Sequence, residues 1–385
     1  VGVRGDDGWR LGLTARATHE TIGLPYDFFG QPSPERRQDS RSRLVALPVD
    51  ALAGAWRFEA QAAVHEAELE LADAHDPWAA SSSETRRDQA RAVATRHLGP
   101  SAWLAGGVEW QRETASTASA FGPGLDHARQ STRALFAQGS WARGPVRLDA
   151  GARRDENSAF GGATSLKAGA VVALGAAARV RASWGQSFRA PALGDLYYPG
   201  FGNPDLRPER GESFELGLEG ERGPVTARLT GFEDRTRDLI QYDILRGLPF
   251  NIGRARARGL EAAVEARWPA WQLRAAATRL DAEDRATGAP LPRRPKESAS
   301  LLTSWTGRRA DAAATLAWVG ARTDVGGVPL AGYATLDLAA GWRAGERWGL
   351  FARVGNVLDR SYQEAAGYPA PGRRISGGLS WRARP

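Results

Sequence analysis

A period of two dominates this chain. From Trp9 to His19, Leu11, Leu13, Ala15 and Ala17 alternate with Arg10, Gly12, Thr14, Arg16 and Thr18. One face is apolar and the other carries arginine, which is the pattern of a strand. It returns where Val146, Leu148, Ala150 and Ala152 alternate with Arg147, Asp149, Gly151 and Arg153, and where Leu260, Ala262, Val264 and Ala266 alternate with Glu261, Glu265 and Arg267. In a soluble sandwich the apolar faces interlock and favour bulky side chains. Here that face is often Ala or Gly, and the opposite face is more charged than a soluble strand requires.

The connections between strands alternate long and short. Long ones run near 20–40, 71–83, 115–126, 188–211, 284–293, 323–331 and 356–371, with less polar length near 158–162 and 244–248. Short ones fall near 51–54, 98–100, 143–145, 175–176, 221–223, 268–270, 307–309 and 343–346. Short periplasmic turns and long external loops are the rhythm of an outer-membrane up-and-down barrel. No stretch approaches the ~20 consecutive apolar residues of a membrane helix, so only a barrel could span a bilayer. A mean hydropathy of -0.42 fits this, because only every second residue of such a strand meets lipid. About eighteen strands are expected from the sequence, and an even count puts both termini on the short-turn side.

Tryptophan placement points the same way. Trp9, Trp56, Trp103, Trp141, Trp268, Trp271, Trp305, Trp342, Trp348 and Trp381 lie beside short turns or near a terminus, whereas Trp78, Trp110, Trp184 and Trp318 do not. A ring of indoles at one headgroup level is expected of a membrane barrel. The net charge of +7 and pI near 10.2 could suggest a nucleic-acid partner. The basic residues are instead spread along the chain, nearly all are arginines, and many adjoin Asp or Glu, as in Arg153-Arg154-Asp155-Glu156. A solvated or lumen-lining surface is expected, with no nucleic acid bound. The lack of cysteine fits an oxidising compartment.

Residues 188–217, FRAPALGDLYYPGFGNPDLRPERGESFELG, carry a further signal. Ala190-Pro191, Leu196-Tyr197, Gly202-Asn203-Pro204, Leu206, Pro208-Glu209, Glu215 and Gly217 resemble the most characteristic segment of the TonB-dependent outer-membrane receptors. The likeness to the cobalamin receptors among them extends through Gly107-Val108-Glu109-Trp110-Gln111, the segment from Gly151 to Ser158, Asp238-Leu239-Ile240-Gln241-Tyr242, Arg258-Gly259-Leu260-Glu261-Ala262, and Asn356-Val357-Leu358-Asp359-Arg360-Ser361-Tyr362 with Gly367-Tyr368.

The resemblance implies an all-β transmembrane antiparallel barrel of twenty-two strands around an N-terminal plug. Matched this way, residues 1–385 are the C-terminal part of the barrel, with four strands, the plug and the TonB-contacting segment outside the sequence. The start at Val1, without a Met or a signal-peptide pattern, is accordingly expected to lie inside a longer protein or after a cleavage. The implied function is TonB-coupled uptake of a scarce ligand by a monomer in lipid and lipopolysaccharide. Cobalamin is the first expectation, with a ferric siderophore as alternative and a passive porin behind it. The end of the chain, Ile375, Gly377, Leu379 and Trp381, resembles a closing barrel strand, although Arg382-Ala383-Arg384-Pro385 follows it.

The resemblance also implies sites. Tyr26, Asp27 and Asp39, in the first long loop, match positions where calcium is held, although two carboxylates supply only part of the six to eight oxygens calcium takes. Arg293 matches a cobalamin-contacting arginine and Thr114 falls near a contacting threonine, whereas the short loop after Arg322 lacks the family's contacting tyrosine. An enzyme is not expected. His65-Glu66 begins a zinc-protease motif that fails at Leu69, and no Gly-x-Ser-x-Gly elbow occurs. At the same point the alternation slips, from Phe58, Ala60, Ala62 and Val64 to Ala67, Leu69 and Leu71, which predicts a bulge.

Overall fold

A computed structural model describes residues 2–5, 8–24, 26, 31–74, 76–120, 122–243, 246–345 and 347–381. Among them the fold is almost all β, with eighteen strands of eight residues or more and one short α-helix, Leu193–Tyr197. The strands form a many-stranded sheet in which sequence neighbours pair antiparallel. Among the described residues no helix is long and apolar enough to cross a membrane.

The chain divides into two compact units. The first comprises Val1–Gly169, Gly185–Glu212 and Thr236–Gly253. In it Arg37–Ala53 pairs with Trp56–Ala72, which pairs with Ser81–His97, then Ala102–Ser119, Ala128–Arg143 and Val146–Asn157 in turn. The second comprises Ala170–Trp184, Ser213–Arg235 and Arg254–Pro385. There Trp271–Asp284, Glu297–Thr306, Ala310–Val319, Tyr333–Ala344, Trp348–Gly355 and Arg374–Trp381 pair successively.

Alternation becomes two faces. Along Ala128–Arg143, Arg133, Leu135, Ala137 and Trp141 are exposed, while Gln130, Ala134 and Ser140 are buried. The exposed aliphatic side chains, such as Leu47, Leu104, Val108, Leu135 and Leu148, would each be penalised in water at ~25 cal/mol per Å². Lipid removes that penalty. Trp9, Trp56, Trp141, Trp268, Trp271, Trp342, Trp348 and Trp381 are exposed beside the short turns, as a headgroup-level girdle requires. The turns themselves are tight. Arg143 faces Val146 across Gly144-Pro145, where Gly144 holds φ at 57°, and Gly223 repeats this at 58° before Pro224. Positive φ at the first turn position suits Gly alone among common residues.

Two expectations are corrected. The bulge after Val64 is absent, because Ala53↔Trp56 through Arg37↔Ala72 is one unbroken register. The outward face continues as Glu66, Glu68 and Glu70 while Ala67, Leu69 and Leu71 turn the other way. What slips is the solvent, since a 17-residue strand outruns the ~9–11 residues needed to span lipid. The strand expected from Trp9 to His19 is likewise interrupted at Leu13, between Trp9–Gly12 and Thr14–Gly23. Pro48 lies in the facing strand, and its ring carbon would sit 3.0 Å from a Cβ at Gly12. A proline also removes a ladder donor there.

Candidate functional site

In the first unit, residues 188–212 fold back on themselves. Leu196 is 1% exposed, and Leu193 joins Ala115 and Leu125 in a small apolar cluster against which Tyr198 packs. Gly202 passes so close to Leu196 that an added Cβ would lie 2.8 Å from its carbonyl oxygen. Asn203 donates from Nδ2 to Pro249 O at 2.9 Å and accepts from Asp205 N at 3.0 Å. Arg189 donates from Nε to Glu209 at 2.7 Å, and the same carboxylate accepts Ile240 N–H at 2.9 Å. Asn251 bridges Arg207 O and Asp238 O, each at 2.8 Å. These polar groups thereby find the partners that burial demands.

The charged face of the same unit carries a ladder of ion pairs. Arg153 bridges Asp155 at 2.8 Å and Glu109 at 3.2 Å, and Arg87 meets Glu113 at 2.6 Å. A cavity of about 920 Å³ is lined by Arg10, Asp50, Arg57, Glu59, Arg91 and Gln138, among others.

In the second unit, three loops meet at Asp324, which is 3% exposed. Its carboxylate accepts Arg293 Nε at 2.5 Å, Val325 N–H at 2.7 Å and Ala366 N–H at 2.6 Å. The Arg293 hydrogen bond first, then the Ala366 and Val325 N–H groups and the charge of Arg293, hold its pKa down to about 2. Arg293 adopts φ 58°, and its own N–H donates to Thr323 O at 2.7 Å. Beside this pin, Arg322 donates from Nη2 to Gln363 O at 3.0 Å and lies 5.6 Å over the Tyr333 ring. Tyr333 stacks on Tyr362 with centroids 4.0 Å apart. The adjacent loop is braced by Asn356, 7% exposed, whose Nδ2 donates to Arg360 O and whose Oδ1 accepts Arg360 N–H, both at 2.9 Å. The half-exposed Arg293 and the partly buried Arg322, whose Nη1 has no partner among the described residues, stand beside stacked rings, an arrangement that can bind an anionic, partly aromatic ligand.

Of the residues singled out in the sequence, Arg293 stands in this cluster, with its Nε engaged by Asp324 and its side chain half-exposed. Thr114 lies in the first unit opposite Arg86 and Arg129, on the strand face that also carries Val108 and Trp110. Asp39 accepts from His19 Nε2 at 2.7 Å and Thr21 Oγ1 at 2.9 Å. The Tyr26 carbonyl accepts Arg36 Nη1 at 2.9 Å, and Asp27 lies outside the described residues. No group of three or more His, Cys, Asp or Glu that could hold a metal ion occurs among the described residues. Asp324, Arg322, Tyr333 and Tyr362 were not legible as a site. Only Asp324-Val325-Gly326-Gly327 carried a signal, an acid before a glycine turn.

A model of the TonB dependent receptor-like β-barrel family matches residues 3–357. The vitamin B12 transporter BtuB of Vibrio vulnificus is 29% identical over 270 residues, which cover 69% of this chain and 44% of that protein. The chain therefore aligns with less than half the length of that relative. The siderophore receptor PirA from Acinetobacter baumannii superposes with a TM-score of 0.83 at 15% identity, covering 99% of this chain and 69% of that one. The ferric enterobactin receptor PfeA of Pseudomonas aeruginosa, as a Q482A mutant in complex with enterobactin, gives 0.83 at 17% identity over the same shares. At such identities the superpositions establish the fold. Members of the matched family are transporters rather than enzymes. An antiparallel sheet with one lipid-suited face, a tryptophan girdle and a family match over most of its length make this chain a member of the TonB-dependent receptor-like β-barrel family, resident in the outer membrane of a Gram-negative bacterium.

Proposed function

We propose that this chain is the barrel portion of a receptor that captures a ferric siderophore and moves it inward by TonB-coupled transport. The observation that carries this reading is the Arg322–Tyr333–Tyr362 cluster beside the Arg293–Asp324 pin. A ferric chelate presents anionic oxygens around its metal and flat or apolar arms outside them. Guanidinium donors answer the first, and stacked rings the second. The fold likeness to siderophore and ferric enterobactin receptors over 99% of the chain supports the same class. Energy from TonB would enter through a plug and an N-terminal segment supplied by the full-length protein.

Cobalamin is the second reading, favoured by the 29% identical vitamin B12 transporter. Under it Thr114 and Arg293 contact the ligand, and calcium joins Tyr26, Asp27 and Asp39. Equilibrium binding by the full-length receptor in detergent separates the two. Tight binding of ferric enterobactin, weakened by Arg322→Ala and indifferent to calcium, is the expected result. Binding of cyanocobalamin instead, strengthened by calcium and weakened by Arg293→Ala, would replace the siderophore reading.

A further inference from the structure

The face of the first unit turned from lipid carries charges that the loop site does not use. Arg10, Asp50 and Glu59 are successive register partners, and Arg91 faces Glu109, all on the side of the sheet opposite Leu47, Val108 and Leu135. With Gln138, four of them line the cavity of about 920 Å³, which reaches His97 and Trp103 on either side of the short turn 98–101. The cavity therefore lies at the short-turn end of this wall, which is the periplasmic end.

Its arginines are not alike. Arg57 is spent, since it meets Asp50 at 2.9 Å and Glu59 at 3.1 Å. Arg10 and Arg91 stand 3.9 Å from Asp50 and Glu109 respectively, too far for a hydrogen bond, and neither donates one to any described residue. The Phe136 ring centroid lies 5.2 Å from the Arg91 guanidinium carbon and supports the cation without taking up an N–H. Gln138 accepts from Lys167 at 2.7 Å through Oε1, which leaves its Nε2 without an acceptor among the described residues. Unspent donors around a cavity call for an oxygen-rich anion. Arg10 and Arg91 rise from strands three spacings apart, about 14 Å across the sheet, a span that two arginine side chains can close on a chelate.

Resting on the siderophore reading above, we propose that this cavity is an inner site on the transport path, where the anionic chelate lodges after leaving the loops and before it reaches the periplasm. Arg10 and Arg91 take its oxygens, and Gln138 adds a neutral donor. Asp50, Glu59 and Glu109 beside them keep the site from binding an anion tightly, as a site of passage requires. A carboxylate of the plug offers the same donors an acceptor, so the test separates the two sources.

That test compares surface binding with uptake for the full-length receptor in cells, with ferric enterobactin as the probe. In R10Q/R91Q, which breaks no hydrogen bond of the described residues, affinity measured on energy-depleted cells is expected to match the parent, while uptake at saturating ligand by energised cells falls ~10-fold. R10K/R91K, which keeps the charge, is expected to recover most of that rate. Were R10Q/R91Q to lose its heat-modifiable form at a lower temperature and its affinity in step with its uptake, the partner would be a plug carboxylate and the inner site would fall. A parent that binds no ferric enterobactin would end the siderophore reading and the proposed ligand with it, whereas a parent that binds, beside an R10Q/R91Q variant that transports at the parental rate, would end the inner site alone.

Discussion

The same device appears twice in this molecule with different surroundings. In each case an arginine is held by a carboxylate that also accepts backbone N–H groups: Arg189 by Glu209, which caps Ile240, and Arg293 by Asp324, which caps Val325 and Ala366. The first pin belongs to a stretch packed through Leu193 and Leu196 onto the strands beneath it. The second ties three loops together beside half-exposed arginines and tyrosines. The stretch by which the family is recognised is thus mostly occupied with its own architecture. The loops that meet at Asp324, one of which is shorter than the resemblance implies, hold the groups that can meet a ligand.

Truncation at the first pin is expected to have the largest effect. Leu196→Ala empties a fully enclosed side-chain site and should cost about 2–5 kcal/mol. Glu209→Ala should cost less, about 1–3 kcal/mol, because the half-exposed Arg189 finds water while the Ile240 N–H is left without a partner. The check is the temperature at which the folded, heat-modifiable form is lost in detergent. Ligand affinity measured below that temperature should be unchanged. A large loss of affinity at full stability would break the comparison.

At the second pin the order should reverse. Asp324→Asn keeps the shape but replaces one acceptor oxygen by a donor, which then faces Arg293 Nε or the Ala366 N–H. The unfolding temperature should hold, while proteolysis within 320–332 and 356–371 accelerates by about tenfold and ligand affinity falls with it. Acid should reproduce this in the parent protein. The folded pKa of Asp324 lies at about 2, below its ordinary value of 3.8. Its contribution is therefore complete above about pH 4 and is lost as pH falls from there through about 2. Loop proteolysis by an acid-active protease should rise over that window in the parent and stay flat in Asp324→Asn. A rise centred near neutrality would assign the loop order to another group.

How much of this could be read beforehand follows from range. Alternation, loop rhythm and tryptophan girdle depend on neighbours one or two residues away, and the structure keeps them. Pro48 opposite Gly12 and the charged continuation of Trp56–Ala72 depend on what a partner strand or solvent supplies, so the alternation shows neither the break at Leu13 nor the unbroken register after Val64. Arg293 was reached through resemblance alone. Its partner Asp324 is 31 residues away, and the Tyr333–Tyr362 stack closes across a similar distance. Neither pairing has a signature in one sequence.

The smallest expected effect is also the most specific probe of the loop site. Tyr362 contributes a ring to the stack, whereas it is the Tyr333 hydroxyl that reaches Glu364 Oε1, at 3.5 Å. Tyr362→Phe preserves the stack and should leave stability unchanged. Tyr362→Ala removes it and should cost about 1 kcal/mol locally, while depriving Tyr333 of the neighbour that holds its ring beneath Arg322. If the ligand rests on the aromatic face, affinity should fall in Tyr362→Ala and persist in Tyr362→Phe. Equal losses in the two variants would mean that the hydroxyl makes the contact, and would move the recognition chemistry from ring stacking to hydrogen bonding. No loss in either would separate the stack from the ligand and leave Arg322 and Arg293 as the groups to follow.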